Sequence, residues 1–342
     1  MALLSPRTIS NLRRELSASL IAKIGLLLVA LILLIAVFAP LIAPYNPSVQ
    51  ETSRAQLPPI GMTLSDSSTQ LVDGEITKVE STRRGTWAHP LGTDGLGRDM
   101  LSRAIYGART SLLVGFTAML ISTLVGSAVG LTAGYYGGRV DDAMMRGVDV
   151  ILAFPSLIVS LSLIGVFGNV AIQIPDPIVL LGFAEGMPRT AVLPATITIA
   201  IASTGWVWIA RIARGEAISV ANEDYVRAAR TTGLSDARTI IRHVLPNSMT
   251  AIIVLATIQI ATIIIIESSL SFLGFSGTTL SWGFDIAQGR DYLQRIRLKH
   301  LISNEMTTST VTKRTPTGIS GTLTTTQGII FRISLSHLIC AL

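Results

Sequence analysis

Charge is scarce in this chain. Only 14% of its 342 residues are Asp, Glu, Lys or Arg, 49% are hydrophobic, and mean hydropathy is +0.57. A soluble domain cannot cover its surface with so little polarity, so the composition points to a multi-span membrane protein. Cysteine is nearly absent: Cys340 alone excludes an intrachain disulfide framework and a Cys-rich metal site. His89, His243, His300 and His337 are scattered, without metal-ligand spacing. There is no G-x-x-x-x-G-K-[ST] and not one Gly-Lys dipeptide, so the chain carries no ATP-hydrolysing P-loop. Basic patches interleaved with aromatics are also missing. The net charge of +6 and the pI near 9.8 therefore fit basic flanks of membrane spans better than nucleic-acid binding.

What is present is a series of apolar runs. Residues 1–23 hold Arg7, Arg13, Arg14 and Lys23, and the uncharged run 24–43 crosses a ~30 Å hydrocarbon core at ~1.5 Å per residue. That run is long for a secretory h-region, and Pro40 and Pro44 crowd the candidate cleavage sites. We read 1–23 as a cytoplasmic N-terminus and 24–43 as a first span. Residues 44–110 form an extracytoplasmic loop, of which 50–88 lack helical or strand periodicity and read as an exposed insertion. In HPLGTDGLGRDMLSRAIYGARTSL (89–112), Asp94 and the glycines are turn chemistry, and Gly92, Gly95 and Gly97 fit neither a dinucleotide fingerprint nor a P-loop. Leu101 and Ile105 share one face of a short surface helix.

Further spans are expected at 111–136, 150–170, 191–210 and 248–275. Gly115, Gly126, Gly130 and Gly134 allow close helix packing in the second. Arg139 and Arg146 place the loop 137–149 inside, with Asp141 and Asp142 solvated at a helix start. Pro155 stands near the entry of the third span as a gate or structural candidate, 171–190 is an apolar, Pro-rich outer loop, and Trp206 and Trp208 anchor the fourth span at the interface. Glu267 is a carboxylate within the fifth span, a functional-site candidate by default. It lies ~30 Å beyond Pro246 at helical rise, near the outer boundary, where a gating or structural role outweighs direct substrate contact.

One polar, basic stretch interrupts the apolar pattern: NEDYVRAARTTGLSDARTIIRHVLPN, residues 222–247. Asn222 reads as an N-cap, Glu223 and Asp224 suit the positive end of a helix, and Arg227 and Arg230 suit its last turn. Gly233 is placed for a left-handed C′ position, and a second helix from Ser235 or Asp236 should stop at Leu245–Pro246. This segment resembles the cytoplasmic EAA loop of ABC-transporter permeases. Ala228, Ala229, Gly233, Leu245 and Pro246 keep that pattern's spacing, while Arg227 replaces Glu and His243 replaces Ile, as in the peptide-transporter branch. The stretch 89–112, Phe154–Pro155, ESSLSFLGF at 267–275 and Ser281–Trp282–Gly283 resemble the same branch.

The resemblance covers residues 10–293 and implies an all-α, polytopic helix bundle of the type I ABC importer permease fold. Five spans are legible, and the sixth is lost or replaced. The implied subunit is the C-type permease of a peptide importer, not an enzyme. Its partners are a second permease subunit, two ATPases that bind ATP and magnesium, an extracytoplasmic solute-binding protein and membrane lipid, with no cofactor or metal in this chain. The loop 212–247 would dock on an ATPase through Tyr225, Arg227, Ala228, Ala229, Gly233, Leu245 and Pro246. Residues 276–342 form an atypical tail, Thr-rich at 306–326, and a frameshift near 294–296 is the expectation, a genuine lineage-specific tail the alternative. Nickel, glutathione or opine import, a truncated non-functional permease, and a self-sufficient secondary transporter or channel stay open as other readings.

Overall fold

The computed structural model describes residues 19–72 and 75–290. Helix α1 (Leu20–Val37) and a short turn α2 (Ala39–Ile42) form the first crossing, four residues earlier than expected because Ser19 caps it, its Oγ accepting from Ala22 N at 3.3 Å. The insertion is not irregular: β1 (Thr63–Val72) and β2 (Glu75–Arg84) pair antiparallel, from Thr63 opposite Arg84 to Val72 opposite Glu75. Recurring Thr, Val and Ile favour extended backbone there without the alternation that marks a half-buried sheet.

Helix α3 (Met100–Tyr136) joins the expected surface helix and second span into one 37-residue rod. Asp99 caps it, accepting from Ser102 N at 2.8 Å. The expected inner loop is helix α4 (Gly138–Leu152), and the expected third span is broken: α5 covers only Ser156–Phe167 and leaves α4 at 82°. Pro155 causes the break, since it cannot donate within a helix and holds the preceding residue away from helical backbone. The outer loop is a hairpin, β3 (Ala171–Pro175) with β4 (Thr190–Pro194), enclosing the short α6 (Pro177–Leu180).

Helix α7 (Ala195–Ala221) runs eleven residues past the expected end of the fourth span, followed by α8 (Asp224–Thr231) and α9 (Asp236–Thr239). A π turn (Ile240–Val244) then leads into α10 (Leu245–Phe272). Pro246 does not stop the helix. Arg242, whose carbonyl a proline ring would strike in a regular α-helix, lies inside the wider π turn, so 236–272 continue as one rod. Among the described residues four helices are long and apolar enough to cross a membrane, and the bent α4–α5 pair is either a fifth, broken span or a re-entrant loop. The compact unit that contains them ends at Ala287. The expected pattern break after Leu293 and the part of the 276–342 tail beyond residue 290 lie outside the described residues.

The bundle centres on α3, α7 and α10. Gly126, Gly130 and Gly134 form a seam at a period of four against α7: a Cβ on them would collide with the carbonyls of Trp206, Ala210 and Arg214. Gly115 instead faces Ile260 and Ile264 of α10. Trp206 packs into this bundle beside Val129 and Met145, and only Trp208 (57% exposed) keeps the orientation expected of an anchor. At mid-bundle the Gln259 amide of α10 donates to Gly205 O of α7 at 2.7 Å.

Candidate functional site

The sequence-predicted segment forms where the C-terminal ends of α3 and α7 meet the N-terminal end of α10. Asn222 is not its N-cap. The apolar face of α7 continues through Ala213, Ala217 and Val220, so Asn222 closes α7, its Nδ2 donating to Ile218 O at 2.9 Å, and Glu223 precedes α8. One residue fastens α8 to the bundle. Val226 is fully buried in a cluster with Tyr135, Ala217, Val220 and Val244. The C-terminus of α8 closes as a Schellman motif: Leu234 N donates to Ala229 O at 3.2 Å and Gly233 N to Arg230 O at 3.0 Å. Gly233 takes φ +82°, a backbone that costs little only for glycine.

A polar node absent from the sequence reading ties both arms of the segment to α3. Arg230 Nε donates to Tyr135 Oη at 3.0 Å, and the guanidinium lies 4.1 Å from the Tyr135 ring centroid. Tyr135 Oη in turn donates to Asp236 Oδ1 at 2.7 Å. With Arg230 so engaged, α8 presents Tyr225, Arg227 and Ala228 to solvent, with Ala229 half-buried. Burial and the nearby Glu223 charge push the Tyr225 phenol above its ordinary pKa, so it stays a neutral donor in the cytoplasmic range. Its ring lies 6.3 Å from that of His243 in the π turn. Leu245 packs against the Val226 cluster, while Pro246 is exposed. Beside it, Ser235, Ala237, Arg238, Ile241, Arg242 and Pro246 line an open groove of about 650 Å³.

The base of the segment is braced from α4. Asp141 is not solvated as its position suggested. It is buried and accepts two hydrogen bonds from the Arg214 guanidinium, while Asp142 remains exposed and Asp149 accepts from Arg211 at 2.6 Å. Pro155 lies at the α4–α5 break, apart from this node.

Glu267 stands at the other end of α10, 1% exposed in a cage of hydroxyls. Ser271 Oγ donates at 2.9 Å, Ser111 Oγ of α3 at 3.2 Å and Ser268 Oγ at 3.4 Å. The segment after α10 closes over it: a Cβ on Gly283 would sit 2.5 Å from Ser268 O, and Trp282 Nε1 donates to Ala104 O at 2.9 Å. Fully buried Arg103 donates to Asp285 at 2.9 Å, and Arg109 pairs with buried Asp176 of the outer hairpin. His89 and Asp99, both buried, are 2.9 Å apart. The charged residues of the 89–112 stretch thus act as outer braces, and the Glu267 carboxylate is sealed from any ligand in this arrangement.

Residues 126–331 match the family described as "Binding-protein-dependent transport system inner membrane component", and residues 10–59 match "N-terminal TM domain of oligopeptide transport permease C". The chain is 35% identical over 272 residues to the dipeptide transport system permease protein DppC of Bacillus subtilis (strain 168), covering 79% of this chain and 70% of that one. It is 32% identical to the oligopeptide transport system permease protein OppC of the same strain (79% and 73% covered). A third relative, the di/tripeptide transport system permease protein DppC of Pseudomonas aeruginosa (strain UCBPP-PA14), is 34% identical (79% and 76%). With several apolar crossings and a match over most of its length, this chain belongs to the binding-protein-dependent inner membrane component family, the multi-pass permease subunits of ABC transporters.

Proposed function

We infer that this chain is the C-type permease subunit of an ABC importer that carries di- and oligopeptides across a bacterial inner membrane. It pairs with a second permease subunit, receives peptide from an extracytoplasmic binding protein, and is driven by two ATPase subunits that bind ATP and magnesium. The names of its relatives support the cargo. The observation that carries the coupling role is the mounting of α8. Val226 and the Arg230–Tyr135–Asp236 node hold it on the ends of the long helices, and its Tyr225–Arg227–Ala228 side faces outward. A small Ala228–Ala229 surface lets a partner backbone approach closely, and Gly233 sets the sharp turn to the second arm. An ATPase closing on α8 then moves the spans without local give.

The test is peptide uptake into proteoliposomes holding the assembled transporter. Wild type should take up peptide only with ATP inside the ATPase compartment, and Gly233→Leu should abolish uptake, because the left-handed turn resists a β-carbon by about 1–2 kcal/mol and α9 would be displaced. Uptake driven by an ion gradient without the ATPases would instead establish a secondary transporter.

A further inference from the structure

Helix α4 buries one side and leaves a broad face uncovered. Val148 packs against Val207 and Ala210 of α7, and Asp141 on the same side accepts from Arg214. The opposite side carries two parallel stripes. Arg139, Asp142, Arg146 and Asp149 recur at helical spacing and are exposed. Val140, Ala143, Gly147 and Val150 run beside them, also exposed, and nothing stands within 4 Å of a Cβ built on Gly147. The charges are spaced to pair along their own helix, yet Arg139 and Arg146 form no ion pair among the described residues, and Asp142 has only the more distant charge of Arg214. Asp149 gives Oδ1 to Arg211 at 2.6 Å and keeps its other oxygen.

The order of the signs selects a partner. From 139 to 149 the stripe runs positive, negative, positive, negative. Against a reversed copy of itself Arg139 meets Asp149 and Asp142 meets Arg146, since both pairs are centred on residue 144. The apolar stripe has the same symmetry about residue 145, with Val140 against Val150 and Ala143 against Gly147, so one two-fold axis serves both stripes to within ~1.5 Å. That axis also keeps each stripe on its own side, charges beside charges and apolar groups beside apolar groups. The 82° bend sets α4 nearly crosswise to α5, and a two-fold parallel to α5 turns a crosswise helix into its antiparallel neighbour. A surface of one sign, such as an anionic lipid layer, would meet repulsion at two of the four charged positions.

We propose that this face of α4 docks on the same face of a second copy of this chain. In an importer that holds one copy, as inferred above, the contact joins two transporters side by side.

The experiment is disulfide trapping of the full chain in native membranes, with Cys340→Ser removing the native thiol. Ala143→Cys, close to the two-fold, should cross-link to a product of twice the chain's mass. Val140→Cys and Val150→Cys should each fail alone, because a copy's own thiols lie ~15 Å apart along the axis, and should cross-link when co-expressed. On the Ala143→Cys background, Asp142→Arg or Arg146→Asp should cut the yield about threefold or more, since the four ion pairs lie in one network. Co-expressing these two variants should restore the cross-link between the differing copies, although each helix still carries like charges at 142 and 146. The inference is overturned if Ala143→Cys gives no product of twice the mass, or if the co-expressed charge variants cross-link no better than either alone. The readout needs no uptake and no ATPase, so its failure leaves the importer reading untouched.

Discussion

Removing one oxygen atom tests whether the α8 mounting matters. In Tyr135→Phe the ring keeps its place in the Val226 cluster and its stacking with Arg230 at 4.1 Å, but the hydroxyl that accepts from Arg230 and donates to Asp236 is gone. Hydrogen bonds to charged groups contribute about 1.5–3 kcal/mol each. Arg230 and Asp236 are exposed and regain water, so the two together are discounted to about 1–2 kcal/mol. That changes the population of the docked geometry by roughly 5- to 30-fold. Because α8 stays pinned by Val226, ATPase binding should survive while transmission to α3 suffers. The assay is the ratio of peptide taken up to ATP hydrolysed in proteoliposomes, which should fall severalfold, with ATP hydrolysis itself changed little. Tyr135→Phe with an unaltered ratio in a fully assembled complex would refute the reasoning and reduce the node to surface decoration.

Two further substitutions probe the ends and the middle of the bundle. Gly130→Ala places a Cβ against the Ala210 carbonyl and 2.8 Å from the Ala213 methyl, so α3 and α7 must separate; overpacking of this kind costs about 1–3 kcal/mol, and the detergent-solubilised complex should melt several degrees lower by tryptophan fluorescence. Glu267→Gln keeps one acceptor oxygen and replaces the other with an NH2 donor, which a rotated serine hydroxyl can accept, and should leave uptake near wild type, whereas Glu267→Leu strands buried hydroxyls at ~1–3 kcal/mol each and should lower both stability and uptake; equal behaviour of the two variants would show that the cage is not a hydrogen-bonded tie.

What could be read from the sequence was local. The period-four glycines of the second span announced a close helix contact, and Gly233 announced a left-handed turn, because each follows from one residue type at one spacing. Counting rise alone set Glu267 at the far end of its helix from Pro246. The misses required long-range partners. Asp141 and Asp142 are indistinguishable in sequence, and only Arg214, 73 residues away, makes one of them buried. Asn222 looked like a helix start because charge begins there, yet the Ala213–Ala217–Val220 stripe continues α7 beneath that charge. Pro246 read as a stop because a proline forbids an α-helical bond; the π turn that bypasses it has no sequence signal of its own. Tyr135 showed nothing beyond an aromatic at a span end, and its role comes from Arg230 and Asp236 meeting over it.

The same contacts limit how force can travel. Helix α3 is tied twice to the α9–α10 rod, at Tyr135–Asp236 near one end and at Ser111–Glu267 near the other. Between the ties α3 has 24 residues (Ser111 to Tyr135), ~36 Å, while the α9–α10 rod has 31 (Asp236 to Glu267), ~46 Å. Two straight parallel rods cannot satisfy both, and the π turn and the reach of the Tyr135 and Asp236 side chains lie within the ~10 Å excess. Doubly tied rods of unequal length cannot slide past one another without breaking a tie. The glycine seam adds a third restraint, because α7 carbonyls sit where any axial shift of α3 would bring a bulkier residue against them. On the proposed coupling role, a push delivered at α8 would turn α3, α7 and α10 together, and cutting the Tyr135–Asp236 tie would confine the movement to the α8–α9 arm. That is why Tyr135→Phe is expected to uncouple uptake from hydrolysis rather than to weaken both.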